Sequence, residues 1–487
     1  MSIQNVAAIE SGRWNGRSVS IEAMEENLSS DGGLFLFGQL DKELGWTREL
    51  ADLICDSRVK PTQSTLSIVQ QRVFGIIAGY EDQNDHDSLR TDPVFKLIAG
   101  RRPDEEDLAS QPTISRLENS VTAAELLKIE DWFIDRFVAS FNESPERITL
   151  DIDTSDDPVH GQQQLSFFHG FYQQHQYLIR LITCEENDMV VLPVLLIGNA
   201  VAKIGAIDDL CRVIERLRER FPNVRIHIRG DSAFGGPREY DMLESLPNVT
   251  YSFGMKINRK TKRLSADLLE ETEAIAKETG EPQVRYLALE NYSTKYWAGP
   301  KTVVVKVEVT AHSSSRRTVI TNVKEAATDP EAAYREYAQR GESENRNKEL
   351  KCDLQIDRLS DHRYMANLFR VMLHCVAHNL VVAMRGLIRI EDAPDASDEP
   401  SSELPTPESR SVKFVGGDYE KRHNHNARRR KDLLGKAHPV TWRMMVIKVA
   451  ARVVVSARRV RLIVSSSWPN LAHLRRTADA VRVSCQR

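Results

Sequence analysis

One acidic residue, Glu344, lies in a run whose spacing would place it beside residues that bind phosphate. Tyr337 and Arg340 come before it, and Lys351 follows it. At about 100° per residue on an α-helix, the four fall near 0°, 300°, 340° and 320° in chain order. They would therefore share one narrow face, which offers a carboxylate for a cation, two positive charges for phosphates and one phenol.

Two neighbouring glutamates compete with Glu344 for this assignment. Glu342 and Glu349 fall near 140° and 120° on the same helical wheel, so neither shares the face of the two basic residues. A surface helix laced with ion pairs is the alternative explanation of the whole run.

Two aspartates, Asp153 and Asp231, end apolar runs that have the alternation of β-strands. Ile148-Thr-Leu-Asp-Ile-Asp153 alternates strictly, and Val224-Arg-Ile-His-Ile-Arg-Gly-Asp231 alternates up to its glycine. Asp151 would share the face of Asp153 and remains its alternate as a metal ligand. Asp231 could instead cap the turn that follows it through backbone amides.

Convergence of Asp153, Asp231 and Glu344 would create a site for two divalent cations about 4 Å apart. Such a pair clamps the attacking and leaving oxygens of an in-line displacement at phosphorus. Mg²⁺ prefers hard oxygen ligands and takes few of them from protein, so three acids suffice. We therefore predict phosphoryl transfer on nucleic-acid strands with two Mg²⁺ ions, for which Mn²⁺ can substitute.

The elements that would position these acids follow the order strand, strand, strand, helix, strand, which matches the start of an RNase H-like α/β domain. The runs are Ile148–Asp153, Phe167–Tyr172 with Tyr177–Thr183, Met189–Ile197, the helix Ile207–Phe221 and Val224–Asp231. Residues 245–325 contain four further strand-like runs and indicate a β-rich insertion. After the helix that carries Glu344, Asn367–Arg385 reads as a long apolar helix that packs across a sheet.

Residues 1–140 read as mostly helical, with one short strand-like piece at residues 33–38. In the stretch 110–119, Pro112 lies near a helix start, and Ser115 and Arg116 would be exposed on the first turns. That arrangement resembles the opening of a DNA-reading helix, and a plain capped helix explains it equally well.

Composition narrows the class of protein. The chain has 487 residues, enough for two to four domains, and no apolar run approaches a membrane span. The N-terminus lacks the apolar core of a signal peptide, and the six cysteines form no C-x-x-C pair, so we expect a cytoplasmic protein. Residues 411–487 carry 18 Lys and Arg against 4 Asp and Glu, behind an acidic stretch at 391–408, and this asymmetry indicates a polyanionic partner.

The spacing Y-x2-R-x3-E-x6-K from Tyr337 to Lys351 resembles the signature of bacterial insertion-sequence transposases of the DDE class. Further segments resemble one branch of that group in the same order along the chain. They are G-Y-E-D-Q-N-D (79–85), L-A-S-Q-P-T-I-S-R-L-E-N (108–119), L-D-I-D-T-S-D-D-P-V-H-G-Q-Q (150–163), I-R-G-D-S-A-F (228–234) and R-R-R-K-D-L-L-G-K-A (428–437).

This resemblance implies an α/β fold with an RNase H-like catalytic core, a mixed sheet flanked by helices. It implies a mostly helical N-terminal domain (1–140) that binds DNA ends, a core in two parts (141–244 and 326–390) around the β-rich insertion (245–325), an acidic linker (391–410) and a helical, basic C-terminal region (411–487). It also implies that the protein cleaves DNA at the ends of its insertion sequence and joins the 3′-hydroxyl ends to target DNA.

The family's three metal-binding acids map onto Asp153, Asp231 and Glu344, and its DNA-binding residues map onto Tyr337, Arg340 and Lys351. Double-stranded DNA, as terminal inverted repeats and as target, is the expected partner. A homodimer in the end complex, no membrane and a nucleoid-associated location in the cytoplasm are expected with it.

Some relatives flip a base onto an aromatic ring, for which Trp297 is a weak candidate beside a buried structural role. Three readings compete with that of an active transposase. They are a general RNase H-like nuclease, a domesticated DNA-binding regulator and an inactive truncated copy.

Overall fold

The computed structural model describes residues 9–21, 26–56, 58, 60–391 and 434–486. The fold is mixed α/β, with a nine-stranded mixed sheet flanked by helices. Within the described residues before this sheet, the chain forms β1 (Ile9–Trp14), β2 (Arg17–Ile21), β3 (Leu28–Ser29), α1 (Leu34–Leu44), α2 (Trp46–Asp52), α3 (Thr65–Ala78), a 3₁₀ turn (Gln83–Asp85), α4 (His86–Leu89), α5 (Pro93–Ile98), α6 (Gln111–Ser120) and α7 (Ala123–Ala139).

The strand predicted for residues 33–38 is wrong, because this run begins α1. Leu34, Phe37 and Leu40 are buried at helical spacing. Gly33 lies so close to the chain at Val446 that a Cβ would stand 1.9 Å from that residue's carbonyl oxygen. A short apolar run carries no periodicity that separates a strand from a helix, so packing against a distant segment decided between them.

The sheet and the elements around it occupy the middle of the chain. They are β4 (Arg147–Pro158), β5 (Phe167–His169), β6 (Gln174–Cys184), β7 (Val190–Leu196), α8 (Ala206–Arg220), β8 (Arg225–Gly230), α9 (Pro237–Ser245), β9 (Val249–Met255), α10 (Arg259–Leu264), α11 (Ala266–Thr279), β10 (Gln283–Tyr292), β11 (Lys301–Val309), β12 (Ser314–Thr321), α12 (Pro330–Ala338), α13 (Gly341–Lys348) and α14 (Tyr364–Glu391). A 3₁₀ turn (Lys324–Ala327) precedes α12, and a π-helical turn (Glu349–Asp353) follows α13.

The strand order is β10-β11-β12-β9-β8-β4-β6-β5, and β7 pairs with β6. β8 is parallel to β4 and to β9, whereas the remaining pairs are antiparallel. The alternation in β4 explains its central place, because Ile148, Leu150 and Ile152 are fully buried on one face. The strands and the helix predicted between residues 148 and 231 are confirmed with two exceptions: the strand predicted at Ile148–Asp153 continues to Pro158, and the predicted Phe167–Tyr172 strand ends at His169.

The strands predicted within residues 245–325 also form, but they do not make a separate sheet. β9 lies in parallel beside β8, and β12, β11 and β10 continue the same sheet outward from it. Two helices, α10 and α11, connect β9 to β10.

The long apolar helix predicted at Asn367–Arg385 is confirmed as α14. By length and composition its Tyr364–Ile388 part could cross a membrane, yet 83% of its most apolar window is buried inside the protein. The Asn379 side chain exchanges two 2.9 Å hydrogen bonds with the backbone of Val190 in β7. α14 is thus a core helix tied to the edge of the sheet.

The described part of the C-terminal region contains a π-helical turn (Arg443–Ile447), α15 (Pro439–Trp442), β13 (Ala451–Ser456), β14 (Arg459–Val464) and α16 (Leu471–Ser484). The prediction that this region is helical is therefore wrong in part. β13 pairs with β14 and with β3 in a three-stranded sheet, as the β-branched run Val453-Val454-Val455 favours. Beyond Glu391, the acidic linker and the first basic residues of the 428–437 motif lie outside the described residues.

The helix predicted to read DNA, α6, is anchored by a buried ion-pair network. Glu118 on α6 accepts from Arg72 of α3 at 2.7 Å and from Arg370 of α14 at 2.6 Å. All three side chains are at most 5% exposed. On the outer side Arg116 is exposed, whereas Ser115, predicted to be exposed as well, is half-buried. Half of the 108–119 motif therefore serves the packing of three helices, and DNA contact by Arg116 stays a prediction.

Candidate active site

Two of the predicted acids lie where the parallel pairing of two neighbouring strands ends. The expectation that Asp153 ends its strand is wrong, because β4 continues to Pro158 beside β6. Ile152 of β4 pairs with Gly230 of β8, so Asp153 and Asp231 come next at the same level of the sheet. Gly230 is needed because a Cβ would stand 2.9 Å from the Phe253 ring and 3.0 Å from Ile152. The ends of adjacent parallel strands meet at one edge of a sheet, which is where ligand sites of α/β folds form.

Asp153 is a largely buried carboxylate that is incompletely neutralised. Its side chain is 18% exposed, and it accepts from the Thr154 amide at 2.9 Å and from Asn347 Nδ2 at 3.0 Å. Burial is the main cause that raises the pKa of Asp153 to about 6. The charge of Arg340 opposes this rise in pKa, and the charges of Asp231 and Glu344 add to it.

Asp231 is half-buried and has one carboxylate oxygen engaged locally. The Ala233 amide donates to its Oδ1 at 2.7 Å, so the turn-capping role considered from the sequence is real. A single amide bond leaves the second oxygen of the carboxylate available for another ligand. Capping and metal binding are therefore compatible for this residue.

The single helix predicted to carry Tyr337, Arg340, Glu344 and Lys351 is interrupted. α12 ends at Ala338, Arg340 is the N-cap of α13, and Lys351 lies in the π-helical turn. The prediction of one continuous face is wrong in this respect. The break has a physical cause, because the carbonyl of Glu336 accepts from Arg229 Nη1 at 3.1 Å and the Arg340 amide bonds to Tyr337 instead.

Arg340 lies between two of the acids despite this interruption. Its guanidinium is 3.6 Å from the Asp153 carboxylate and 3.8 Å from the Glu344 carboxylate. The Tyr337 hydroxyl lies 2.8 Å from where a Cβ of Gly254 would be, and the Ser232 amide nitrogen, next to Asp231, lies 3.0 Å from the same point. The region between Asp153 and Glu344 therefore already accommodates a positive charge, which is the electrostatic requirement of a cation site.

Lys351 is attached to the same strand but not to the predicted acids. Its Nζ donates to the carbonyl of Asp156 at 2.8 Å and to the Asp156 carboxylate at 3.0 Å. Asp156 is three residues beyond Asp153 in β4, so the ammonium group of Lys351 lies beside the acids. The structure thus groups Tyr337, Arg340 and Glu344, with Lys351 at the margin.

The competing acids are occupied by other partners. Asp151 is fully buried and receives two hydrogen bonds from Arg229, at 2.7 and 2.9 Å. Glu349 is buried against His378 and Arg385, whose bonds outweigh burial and hold the pKa of that carboxyl at about 2. Glu342 is exposed and accepts from Asn345 at 2.8 Å. None of the three faces Asp153 with a free carboxylate.

The donor set suits a hard divalent cation, although the carboxylates are not yet gathered around one point. Within the part of the chain that the structure describes, no group of three His, Cys, Asp or Glu side chains is close enough to hold a metal ion. Carboxylate oxygens are nevertheless the hard ligands that Mg²⁺ prefers. Binding of such an ion requires Arg340 to leave its place between Asp153 and Glu344.

Trp297 packs among aromatic side chains. Its ring lies 5.8 Å from that of Tyr240 and 5.6 Å from that of Tyr292, and it packs against the main hydrophobic core. The structural role considered from the sequence accounts for this residue.

Two groups at the site were not found from the sequence. Asn347 donates to Asp153 from α13, and Tyr172 lies near enough for Asp156, Asp153 and Asp231 to raise its pKa, after burial as the main cause. Asn347 is three residues after Glu344, so the helical spacing could have found it. Tyr172 reaches the site through a hairpin, and no local pattern predicts that contact.

The raised pKa of Asp153 gives a testable effect on stability. A carboxyl whose folded pKa is about 6 favours folding below its unfolded value near 4, and this contribution is lost as the pH rises through 6. In EDTA at pH 7.5, Asp153→Asn should therefore be more stable than wild type by about 1–2 kcal/mol. Urea unfolding at pH 7.5 and pH 5 measures the difference, which should narrow at the lower pH.

Asp156→Asn is the matched control for this prediction. Burial raises the Asp156 pKa, but the hydrogen bond and charge of Lys351 outweigh it, so the net shift is downward. Its contribution to stability is present above the unfolded pKa and lost as the pH falls, so this variant should be less stable than wild type at pH 7.5. A change in the free energy of unfolding of the same sign in both variants at pH 7.5 would contradict the electrostatic account of Asp153.

Comparison with known proteins gives one strong match. A family model described as Transposase DDE domain group 1 matches residues 12–396. No curated protein matches the chain. Among solved structures, the cryo-EM structure of the piggyBac transposase synaptic complex with hairpin DNA is similar at 12% identity and a TM-score of 0.40, over 76% of this chain and 79% of that chain.

Proposed function

Because this chain belongs to the family Transposase DDE domain group 1, and is therefore a DNA transposase, we propose that it cleaves DNA at the ends of a bacterial insertion sequence and joins the freed 3′-hydroxyl ends to target DNA. The observation that carries this proposal is the placement of Asp153 and Asp231 directly after the last parallel pair of β4 and β8, with Arg340 held between Asp153 and Glu344. An acidic site built around a positive charge fits phosphoryl transfer.

The order of strands supports an RNase H-like core for this chemistry. β7, β6 and β4 are antiparallel neighbours, and β8 and β9 follow in parallel on the other side of β4. β4 is central in this set. Asp231 follows the carboxyl end of β8, and Asp153 lies at the same level within β4. The helices after β12 then return Glu344 to the same edge.

We assign the metal-binding role to Asp153, Asp231 and Glu344. Two Mg²⁺ ions, or Mn²⁺ in their place, would supply an activated water and stabilise the leaving oxygen. Asn347 and the Thr154 amide orient the Asp153 carboxylate, and the Ala233 amide orients that of Asp231. Such oriented ligands lose little entropy when a cation binds.

Tyr337, Arg340 and Lys351 hold the DNA end by its phosphates. Arg340 is separated from its carboxylate partners by 3.6 and 3.8 Å, longer than a hydrogen bond, so charge rather than geometry holds it. A phosphate offers the guanidinium a bidentate partner, whereas Lys351 acts as a point charge. Double-stranded DNA is the substrate, and a homodimer is expected since two ends must be paired, in a cytoplasmic, nucleoid-associated complex.

The test of this function is cleavage of a plasmid that carries the DNA flanking this coding region on both sides. With Mg²⁺ the purified protein should release the flanked segment, and EDTA should prevent the release. Mapping of the cut ends separates a transposase from a general nuclease, which would cut without preference for the flanks. Binding to the flanks without any cutting would favour a DNA-binding regulator.

Arg340→Ala should weaken DNA binding and make it less sensitive to salt. Loss of one phosphate contact lowers the slope of log affinity against log salt by about 0.9. Fluorescence anisotropy with flanking DNA, in EDTA and over a range of salt concentrations, measures the slope. Arg335→Ala is the matched control, because Arg335 is an exposed neighbour paired with Glu331 and should leave the slope unchanged. An unchanged slope for Arg340→Ala would remove this residue from the DNA interface.

A further inference from the structure

The chain between β5 and β6 projects a run of aromatic rings into solvent. We call residues 165–175 the aromatic hairpin; its sequence is Leu-Ser-Phe-Phe-His-Gly-Phe-Tyr-Gln-Gln-His and contains no Asp, Glu, Lys or Arg. Four of its rings are well exposed: Phe167 (41%), Phe168 (50%), Phe171 (83%) and Tyr172 (36%). Contiguous exposed rings of this kind mark a binding surface rather than scattered surface residues.

The aromatic hairpin stands beside the acids. β6, which forms its second strand, pairs with β4, and Gln174 Nε2 donates to the Asp156 carboxylate at 3.0 Å. Asp156 in turn holds Lys351. The Gln174–Asp156 bond and the β4–β6 pairing thus place the hairpin at the edge of the acid site, and the charges of Asp156, Asp153 and Asp231 add to burial in raising the pKa of Tyr172.

The rings are held in place although they are exposed. Gln173 closes the turn by a 2.8 Å bond to the carbonyl of His169. Gly198 lies against the base of the hairpin, where a Cβ would stand 2.4 Å from the Phe167 nitrogen. The ring of Tyr172 packs edge-on at 5.1 Å from His169 and 5.0 Å from Phe171. Rings that are already ordered lose little entropy on binding.

We propose that the aromatic hairpin stacks on an unpaired base of the DNA strand whose phosphodiester enters the acid site. This inference rests on the proposed function and names the part of the substrate that the hairpin recognises. The hairpin contains no Lys or Arg that could bind phosphate, whereas Arg340 and Lys351 lie beside it and could do so. We therefore expect its rings to contact the faces of bases. A base pair within duplex DNA hides those faces, so an unpaired base is required.

The experiment compares two DNA duplexes in EDTA, one fully paired and one with a short run of unpaired thymines in one strand. Wild type should bind the second more tightly by fluorescence anisotropy. Phe171→Ala should weaken binding to the unpaired DNA by about five-fold to a hundred-fold, the range of one stacked base, and leave binding to the paired DNA unchanged. Phosphate contacts are common to both duplexes and cancel in the comparison.

Substitutions at the same position separate stacking from simple apolar contact. Phe171→Trp should retain the preference for unpaired DNA, whereas Phe171→Leu should lose it. Leu127→Ala, which trims a 57% exposed apolar side chain on α7, should have no effect. Equal weakening of both duplexes by Phe171→Ala, or full binding by Phe171→Leu, would overturn the proposal.

A second copy of the chain is the alternative occupant of the aromatic hairpin. Sedimentation can show whether Phe171→Ala loses a dimer that wild type forms. If it does, and if its preference for unpaired DNA is unchanged, the hairpin binds a second copy of the chain and not a base. In either failure, cleavage at the flanks would still stand as evidence for the proposed function. Failure of wild type to bind either duplex would overturn both.

Discussion

Glu344→Gln and Asp231→Asn should each abolish Mg²⁺-dependent cleavage at the flanking DNA while leaving DNA binding largely intact. Each change removes one negative charge with almost no change in shape, and removal of one member of a catalytic unit typically costs at least about 10³-fold. Glu344 is 57% exposed and Asp231 is half-buried with one amide bond, so neither supports the core. Cleavage of the flank-carrying plasmid and anisotropy on the same DNA in EDTA measure the two properties separately.

Glu342→Gln is the matched control for this prediction. Glu342 lies in the same first turn of α13 as Glu344 and is also exposed, but its partner is Asn345 rather than Arg340. The Glu342→Gln variant should cleave the plasmid as wild type does. Equal loss of cleavage in both glutamate variants would point to damage to α13, and retained cleavage by Glu344→Gln or Asp231→Asn would remove that residue from the catalytic set.

The parts of the site built on strands could be predicted because their signals are local. Ile148, Leu150 and Ile152 alternate with polar residues, and Ile226 and Ile228 do the same in β8. Both sets are buried on the sheet as the alternation requires. The ends of these two apolar runs gave Asp153 and Asp231 as candidates, although β4 itself continues to Pro158.

The choice between neighbouring acids could not be made from one strand alone. Asp151 shares the alternation of Asp153, and only the partner strand distinguishes them. Asp151 pairs in register with Arg229, so its carboxylate is neutralised two residues before the site. That assignment depends on a contact between residues far apart in the chain, which periodicity does not contain.

The grouping of Tyr337, Arg340 and Glu344 was predicted from one continuous helix, and the structure does not contain that helix. A continuous helix would place Tyr337, Arg340 and Glu344 on one face, yet the chain breaks between α12 and α13. Arg229 takes the Glu336 carbonyl that the Arg340 amide would otherwise bind, and Gly341, a weak helix former, opens the next helix. Arg340 and Glu344 still meet because both lie at the N-terminal end of α13, four residues apart, so the break does not separate them.

Glu118→Gln should lower the free energy of unfolding by about 3–5 kcal/mol at pH 7. The change leaves Arg72 buried with a neutral partner, and Arg370 keeps only its 3.3 Å ion pair with Asp361; both guanidinium groups are at most 5% exposed. Burial raises the pKa of Glu118, but the charges of the two arginines outweigh it, so the net shift is downward. The stabilisation is therefore present above the unfolded pKa near 4.3 and is lost as the pH falls through the folded value.

Urea unfolding at pH 7 followed by tryptophan fluorescence measures this loss. Glu331→Gln is the control, because Glu331 forms an exposed pair with Arg335 and should change stability by less than about 1 kcal/mol. Arg72→Met added to Glu118→Gln should recover part of the loss, since it removes the buried charge that has lost its carboxylate partner. A loss below about 1 kcal/mol for Glu118→Gln, or a further loss in the double variant, would contradict the view that this triad joins α3, α6 and α14 through charge.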